Sequence, residues 1–367
     1  MKIICLAGDP GGARALSPVI AELRQRGVDL HLLGYRQGSA ILQEHGLPVT
    51  VCDETLARHA AQYLQNERAD LLLTATSMNG QDFEKIFIQA ASQCGLFSLA
   101  VLDFWSNYRG RFTTRPPDGE LDATPDQIAV MDARAVADMV AQGFPPQRLV
   151  ITGQPAYDEL FQPVDVPTTR QRVRTALGIA AEDVLLIYAS QPFTEMTAET
   201  GIPPVSYDEM ECLRLLLDSL QATNSLKIWV RPHPRETAAK FHALADPRLI
   251  ISAEFDRISA IYAADGVTGM SSNFLLEAAL LGLPVLSLQP RQQGTGPLPL
   301  VSLGLGEVIT DSASAPAAVT RWLTACRQAE RAHTLSNDSP FRPGAAVRVA
   351  DVVIDRMRHA TAGLVQP

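Results

Sequence analysis

Short runs of β-branched or leucine-rich residues, bounded by Gly, Asp or Pro, alternate along this chain with longer stretches in which apolar positions recur every three to four residues. The first half holds Lys2–Leu6, Asp29–Leu33, Asp70–Thr74, Phe97–Leu102, Gln127–Met131 and Arg148–Thr152 as strand-like runs, with helical patterns between most of them, as at Ala15–Gln25 and Asp82–Cys94. A Pro-rich stretch without period, Gln154 to Thr169, follows and reads as an interdomain linker. The alternation then resumes with Val184–Tyr188, Lys227–Val230, Leu249–Ile251, Gly266–Thr268 and Pro284–Leu288. Continuous apolar strands separated by helices predict parallel sheets covered on both faces, because a parallel crossover needs a helix to return the chain. Two doubly wound α/β domains are expected, 1–160 and 161–367, with the last helical pattern, Ala345–Met357, able to cross back onto the first.

Length agrees, since 367 residues exceed the ~250–300 at which single cores stop growing. With 46% apolar and 19% charged residues and a net charge of −9, the chain is a globular protein. Broad electrostatic binding to nucleic acid or anionic lipid is excluded, so any bound phosphate belongs in a local pocket. No stretch approaches the ~20 apolar residues of a membrane helix, and Met1 to Asp9 breaks too early for a signal peptide, so a cytoplasmic location is expected. The five cysteines are scattered without CxxC spacing, and no His/Asp/Glu cluster has ligand spacing; neither disulfides nor a metal are expected.

Doubly wound sheets bind ligands beyond the carboxyl ends of their strands, which directs attention to the residues just after each run. The first run ends in Gly8-Asp9-Pro10-Gly11-Gly12 and opens into a helix. Gly11 and Gly12 let backbone approach a ligand closely, or simply make a tight strand-to-helix turn. The spacing is not GxGxxG, which argues against a nicotinamide cofactor. After Phe97–Leu102 comes Asp103-Phe104-Trp105-Ser106-Asn107-Tyr108. Trp105, Asn107 and Tyr108 are the residue types that stack a sugar ring and hydrogen-bond its edge. Asp103 is the first candidate general base and Asp9 the second, with a turn cap as the plainer role for Asp103.

In the second half, Arg231-Pro232-His233-Pro234-Arg235 follows a strand. Prolines limit where the His233 imidazole points while Arg231 and Arg235 suit a phosphate, so phosphate binding or general acid work is expected. Ser271-Ser272-Asn273 stands at a helix mouth, where hydroxyls, N–H groups and the dipole favour a phosphate, or where Ser is simply an N-cap. Glu277 sits inside the apolar helical pattern Phe274–Leu281, which needs a hydrogen-bonding partner; a ribose diol is a candidate. Ser190-Gln191 after Val184–Tyr188 offers a further hydroxyl and amide, and the basic cluster Arg170–Arg174 reads as a solvated helix face.

On these residues the chain resembles GT-B glycosyltransferases, two Rossmann-like domains facing across a cleft. His233-Pro234 and Ser271-Ser272 look like the HP and SS motifs of bacterial sialyltransferases and related capsule transferases, and CDP-glycerol transferases carry a similar pair. Ser272 to Pro284, with Glu277, is also similar to the donor-binding helix of the wider group and of non-hydrolysing UDP-GlcNAc 2-epimerases, where a glutamate holds the ribose. The resemblance implies an inverting, metal-independent transferase using a nucleotide-activated sugar, a CMP-sugar in the first instance. The donor would be held by Arg231, His233, Arg235, Ser190, Gln191, Ser271, Ser272, Asn273 and Glu277. A glycan or small-molecule acceptor would meet Gly11, Gly12, Trp105, Asn107 and Tyr108, with Asp103 or Asp9 as base and cleft closure as part of catalysis. Two other readings stay open: a UDP-sugar 2-epimerase, which needs no acceptor, and a nucleotide- or sugar-binding module without catalysis.

Overall fold

The computed structural model describes residues 2–78, 80–115, 119–201, 203, 205–220, 225–293, 296, 298–328 and 342–363. The chain forms two compact units, residues 1–159 with 341–367, and residues 160–340. In the first, β1 (Lys2–Ala7), β2 (Asp29–Gly34), β3 (Val49–Val51), β4 (Leu71–Thr74), β5 (Ser98–Val101), β6 (Gln127–Val130) and β7 (Leu149–Ile151) form an all-parallel sheet ordered 3-2-1-4-5-6-7. In the second, β8 (Val184–Ala189), β9 (Leu226–Arg231), β10 (Leu249–Ile251), β11 (Gly266–Gly269), β12 (Val285–Leu288) and β13 (Glu307–Ile309) are parallel in the order 10-9-8-11-12-13. Two doubly wound parallel α/β sheets are what the alternation predicts.

Side-chain alternation along β1 shows why the sheet is covered twice. Ile3, Cys5 and Ala7 enter the core under the Pro10–Gln25 helix, while Ile4 and Leu6 enter the opposite core with Phe83 and Phe87 of the Phe83–Gln93 helix. The Ala345–Gly363 helix returns to the first of these cores through Ala346, Val349, Ala350 and Val353. Its start is capped from far away in sequence: Asp158 accepts the N–H groups of Gly344, Ala345 and Ala346 at 2.9, 3.0 and 2.8 Å.

Three features differ from expectation. The first helix begins at Pro10, so Gly11 and Gly12 are its first turn and not a loop. Strands β3 (Val-Thr-Val) and β13 (Glu-Val-Ile) each hold a polar residue among three positions and do not read as apolar runs. Part of the aperiodic stretch Gln154 to Thr169 is ordered, as a 3₁₀ turn over Pro155–Phe161 and the start of the Val166–Ala176 helix.

The solvated-face reading of Arg170–Arg174 fits Arg172, which is exposed, and fails for Arg170 and Arg174. Arg170 and Arg174 both pair with Asp265, at 2.6 and 3.4 Å, and Arg170 donates to the carbonyls of Tyr262, Ala263 and Ala264 that end the Arg257–Ala263 helix. Charged heads that satisfy the orphan carbonyls of a helix end cannot be told by sequence from charges facing water.

Candidate functional site

In the first unit, the strand ends are joined by one buried carboxylate. Glu84, 2% exposed, accepts the Gly8 N–H at 3.0 Å, the Tyr35 hydroxyl at 2.5 Å and the Ser77 hydroxyl at 2.8 Å, drawing together the ends of β1, β2 and β4. Gly8 must be glycine, since a Cβ there would lie 2.0 Å from the Tyr35 ring. Burial pushes the Glu84 carboxyl above its ordinary range despite these donors, and Asp9 adds to the shift. With the folded pKa above the unfolded value, the stability linked to its proton is fully present below the ordinary glutamate pKa and is lost as pH rises through the folded one. Denaturant unfolding across pH should show that decline in the wild type and none from this group in Glu84→Gln; superimposable pH curves would refute it.

Beside this carboxylate stands Asp103, 9% exposed. Its Oδ1 accepts from Arg111 at 2.6 Å and from the Thr76 hydroxyl at 3.0 Å, and its main-chain carbonyl accepts from Gln154 at 2.7 Å. One carboxylate oxygen is thus fixed by a guanidinium. The other, Oδ2, faces the first turn of the Pro10–Gln25 helix: a Cβ on Gly11 would lie 2.4 Å from it. Gly12 is as confined, since a Cβ on it would lie 2.7 Å from the Ala75 methyl and 2.9 Å from the Thr76 carbonyl oxygen. Asp9, half-buried at the start of that helix, accepts from the Met78 N–H at 3.1 Å. Asp103, Asp9, Gly11 and Gly12 therefore share the carboxyl ends of β1, β4 and β5.

The aromatics proposed for sugar stacking do not join them. Trp105 is 4% exposed, donates its indole N–H to Asp132 at 2.9 Å and stacks on Tyr157 with ring centroids 6.5 Å apart; Tyr108 is 2% exposed. Both belong to the packing of the first unit, a correction whose cause is that an aromatic after a strand serves a core as readily as a ligand. Asn107 is exposed in a left-handed conformation, φ 56°, leading into the short Tyr108–Arg111 helix.

In the second unit, three strand ends meet. Gln191, after β8, accepts the Ser271 N–H at 2.7 Å and lies 3.4 Å from its hydroxyl. Ser272 caps the Asn273–Leu280 helix, accepting the Phe274 N–H at 3.3 Å, and Asn273 is that helix's first residue. After β9, Arg231 lies with its guanidinium 5.0 Å from the Trp229 ring centroid and 5.6 Å from that of Phe274, donating to the Phe255 carbonyl at 2.8 Å. Its other terminal nitrogen, Nη1, is buried without a hydrogen-bond partner among the described residues, and burial pulls its pKa down to about 10, so it stays charged. An orphaned buried guanidinium nitrogen is costly unless a ligand anion satisfies it. The His233 Nδ1 accepts the Arg235 N–H at 3.2 Å, whereas the Arg235 guanidinium pairs with exposed Glu199 at 2.6 Å.

Glu277 has its partner inside the protein: Arg257 donates to it at 2.5 Å. Arg257 thus sets a cation against one oxygen of the acidic residue in this apolar helix. Arg257, Arg111 and Glu84 escaped the sequence reading. Glu84 carried a usable signal, a carboxylate within the apolar helical pattern Phe83-Glu84-Lys85-Ile86-Phe87-Ile88, the same signal that singled out Glu277.

No protein-family model matches the chain, and neither does any curated protein. Solved structures do. The UDP-GlcNAc 2-epimerase from Neisseria meningitidis bound to UDP-GlcNAc matches with TM-score 0.72 and 13% identity, over 97% of this chain and 100% of that one. The Methanocaldococcus jannaschii UDP-GlcNAc 2-epimerase in complex with UDP-GlcNAc and UDP gives 0.69 and 15% over 96% and 99%, and S. aureus MnaA with UDP gives 0.68 and 15% over 97% of each. The fold is GT-B. At these identities the likeness establishes the fold and not the reaction. It does overturn the first expectation of function: the likeness lies with UDP-GlcNAc 2-epimerases, not CMP-sugar transferases. Short HP and SS motifs misled because they mark phosphate-suited strand ends, which one GT-B fold offers to different nucleotides and different chemistries. Among the described residues, no helix is long and apolar enough to cross a membrane.

Proposed function

We propose that this chain is a UDP-sugar 2-epimerase, inverting C2 of a UDP-hexosamine such as UDP-GlcNAc. The observation that carries the reading is the match over 97% of the chain to an epimerase structure bound to UDP-GlcNAc. The strand ends are suitably equipped. In the second unit, Arg231 Nη1, the Gln191 amide, His233 and the mouth of the Asn273–Leu280 helix would hold the diphosphate. In the first, Asp103 offers one carboxylate oxygen while Arg111 holds the other.

The chemistry assigns roles. No carbonyl acidifies the C2 proton, so its removal must be coupled to loss of the nucleotide. Asp103 would take the proton, the C–H pair would become the C1=C2 bond, and the C1–O pair would leave with UDP, whose growing negative charge calls for cations or N–H donors. Return of UDP to C1, with a proton delivered to the opposite face of C2, completes inversion; Asp9 is the carboxylate placed at the same strand ends for that delivery. The test is incubation with UDP-GlcNAc alone in deuterated water. Formation of the C2 epimer carrying deuterium at C2 supports the proposal, and recovery of unlabelled substrate across UDP-GlcNAc and UDP-glucose would sink it.

Gly11 supplies a sharper expectation. In a helix, Gly→Ala ordinarily stabilises by roughly 0.5–1 kcal/mol. Here the new methyl would stand 2.4 Å from Asp103 Oδ2, so Gly11→Ala should lower turnover about tenfold or more by obstructing that oxygen, with a melting temperature close to wild type. Unchanged turnover would show that Oδ2 is not used.

A further inference from the structure

Three carboxylates of the second unit, Glu195, Glu209 and Glu236, come within 4.8 Å of one another, and the Lys240 ammonium sits among them at 2.9, 2.5 and 2.7 Å. Glu236 reaches beyond this cluster. Its side chain is fully buried, its Oε1 accepts the Ser190 hydroxyl at 2.8 Å, and its Oε2 accepts the backbone N–H of His233 at 2.5 Å. One carboxylate therefore ties the end of β8 to the turn after β9, the two segments that carry Ser190, Gln191, Arg231 and His233.

We propose that Glu236, held by Lys240, is a positioning residue for the UDP site, setting both the direction of the Ser190 O–H and the path of the His233 turn. The proposal rests on the nucleotide reading of the second unit. Its consequence is a polarity at the end of β8. Ser190 donates its proton inward to Glu236, so towards a ligand it presents oxygen lone pairs, an acceptor for a sugar hydroxyl or an amide N–H. Gln191 is the reverse: its carbonyl oxygen is taken by the Ser271 backbone N–H, which can only donate, so its amide presents NH₂. A phosphate oxygen, which only accepts, is served by Gln191 and not by Ser190.

Glu236→Gln keeps the shape but puts an NH₂ where a carboxylate oxygen accepted, and Glu236→Asp keeps the charge but withdraws it by one methylene. Glu195→Gln is the control, since it changes the charge around Lys240 equally and touches neither Ser190 nor His233. Two measurements on the full chain separate the possibilities: the imidazole NMR signals of His233 without ligand, and the Kd for UDP by calorimetry. Both Glu236 variants should shift the His233 signals and raise Kd about tenfold, Glu195→Gln should change neither beyond about twofold, and the effect of Glu236→Gln should shrink in a Ser190→Ala background. The proposal is overturned if His233 signals and Kd are unchanged in both Glu236 variants, or if Glu195→Gln moves them equally, the mark of a merely structural cluster. Wild type that does not bind UDP would defeat the nucleotide reading, while His233 signals that move only in the Glu236 variants would still uphold the positioning role.

Discussion

Asp103→Asn should cut turnover on UDP-GlcNAc by about 10³-fold and leave the Kd for UDP within about twofold. Asparagine can keep the contacts at Oδ1: its carbonyl still accepts from Thr76 and Arg111, which stand at 3.0 and 2.6 Å. What it removes is the capacity to take a proton at Oδ2, the oxygen opposite Gly11. Nucleotide binding is assigned to other residues, in the other unit, so kcat and Kd should separate. An asparagine variant that epimerises at the wild-type rate would remove Asp103 from the reaction, and one that loses UDP binding would show that its role is structural.

Legibility of the sequence divides along physical lines. Strand existence was readable where apolar residues run without interruption; Leu249–Ile251, a half-buried edge, was read to the residue, and the buried Val184–Tyr188 lacked only Ala189. Thr50 interrupts that run in β3 and Glu307 in β13, and those two strands were not readable. Which residue types gather at strand ends was also accessible, since doubly wound sheets confine ligand sites there. What those residues do was less accessible. Trp105 and Tyr108 have ligand-binding chemistry, but Trp105 is directed by Asp132 and Tyr157, which are remote in sequence, and Tyr108 is buried in the first unit. Similarly, nothing local to Glu277 announces that Arg257 is its partner. Pairings between distant side chains are tertiary facts, and a motif reports only the types present.

The basic helix Val166–Ala176 gives the largest expected change in stability, because two of its charges, Arg170 and Arg174, face inward. Asp265 is buried at the start of β11, its side chain 7% exposed, with Arg170 and Arg174 11% and 6% exposed around it. Besides the two guanidinium groups, it accepts the Leu185 N–H of β8 at 2.8 Å, so a single carboxylate locks the helix to two neighbouring strands. Asp265→Ala would strand two nearly buried cations and one backbone N–H with no counter-charge. Breaking a buried pair by removing one partner costs about 3–5 kcal/mol, and solvent screening is slight at these exposures. Arg174 still has the carbonyls of Ala180 and Asp183, at 2.8 and 2.6 Å, and Arg170 those of Tyr262, Ala263 and Ala264; these carbonyls limit the loss and argue for the lower half of that range. Urea unfolding should therefore show a loss of about 3 kcal/mol for Asp265→Ala, and less for Asp265→Asn, whose carbonyl can still accept one of the three donors. Losses below about 1 kcal/mol for the alanine variant would mean that the guanidinium groups reach water once released, and that the basic face is solvated after all.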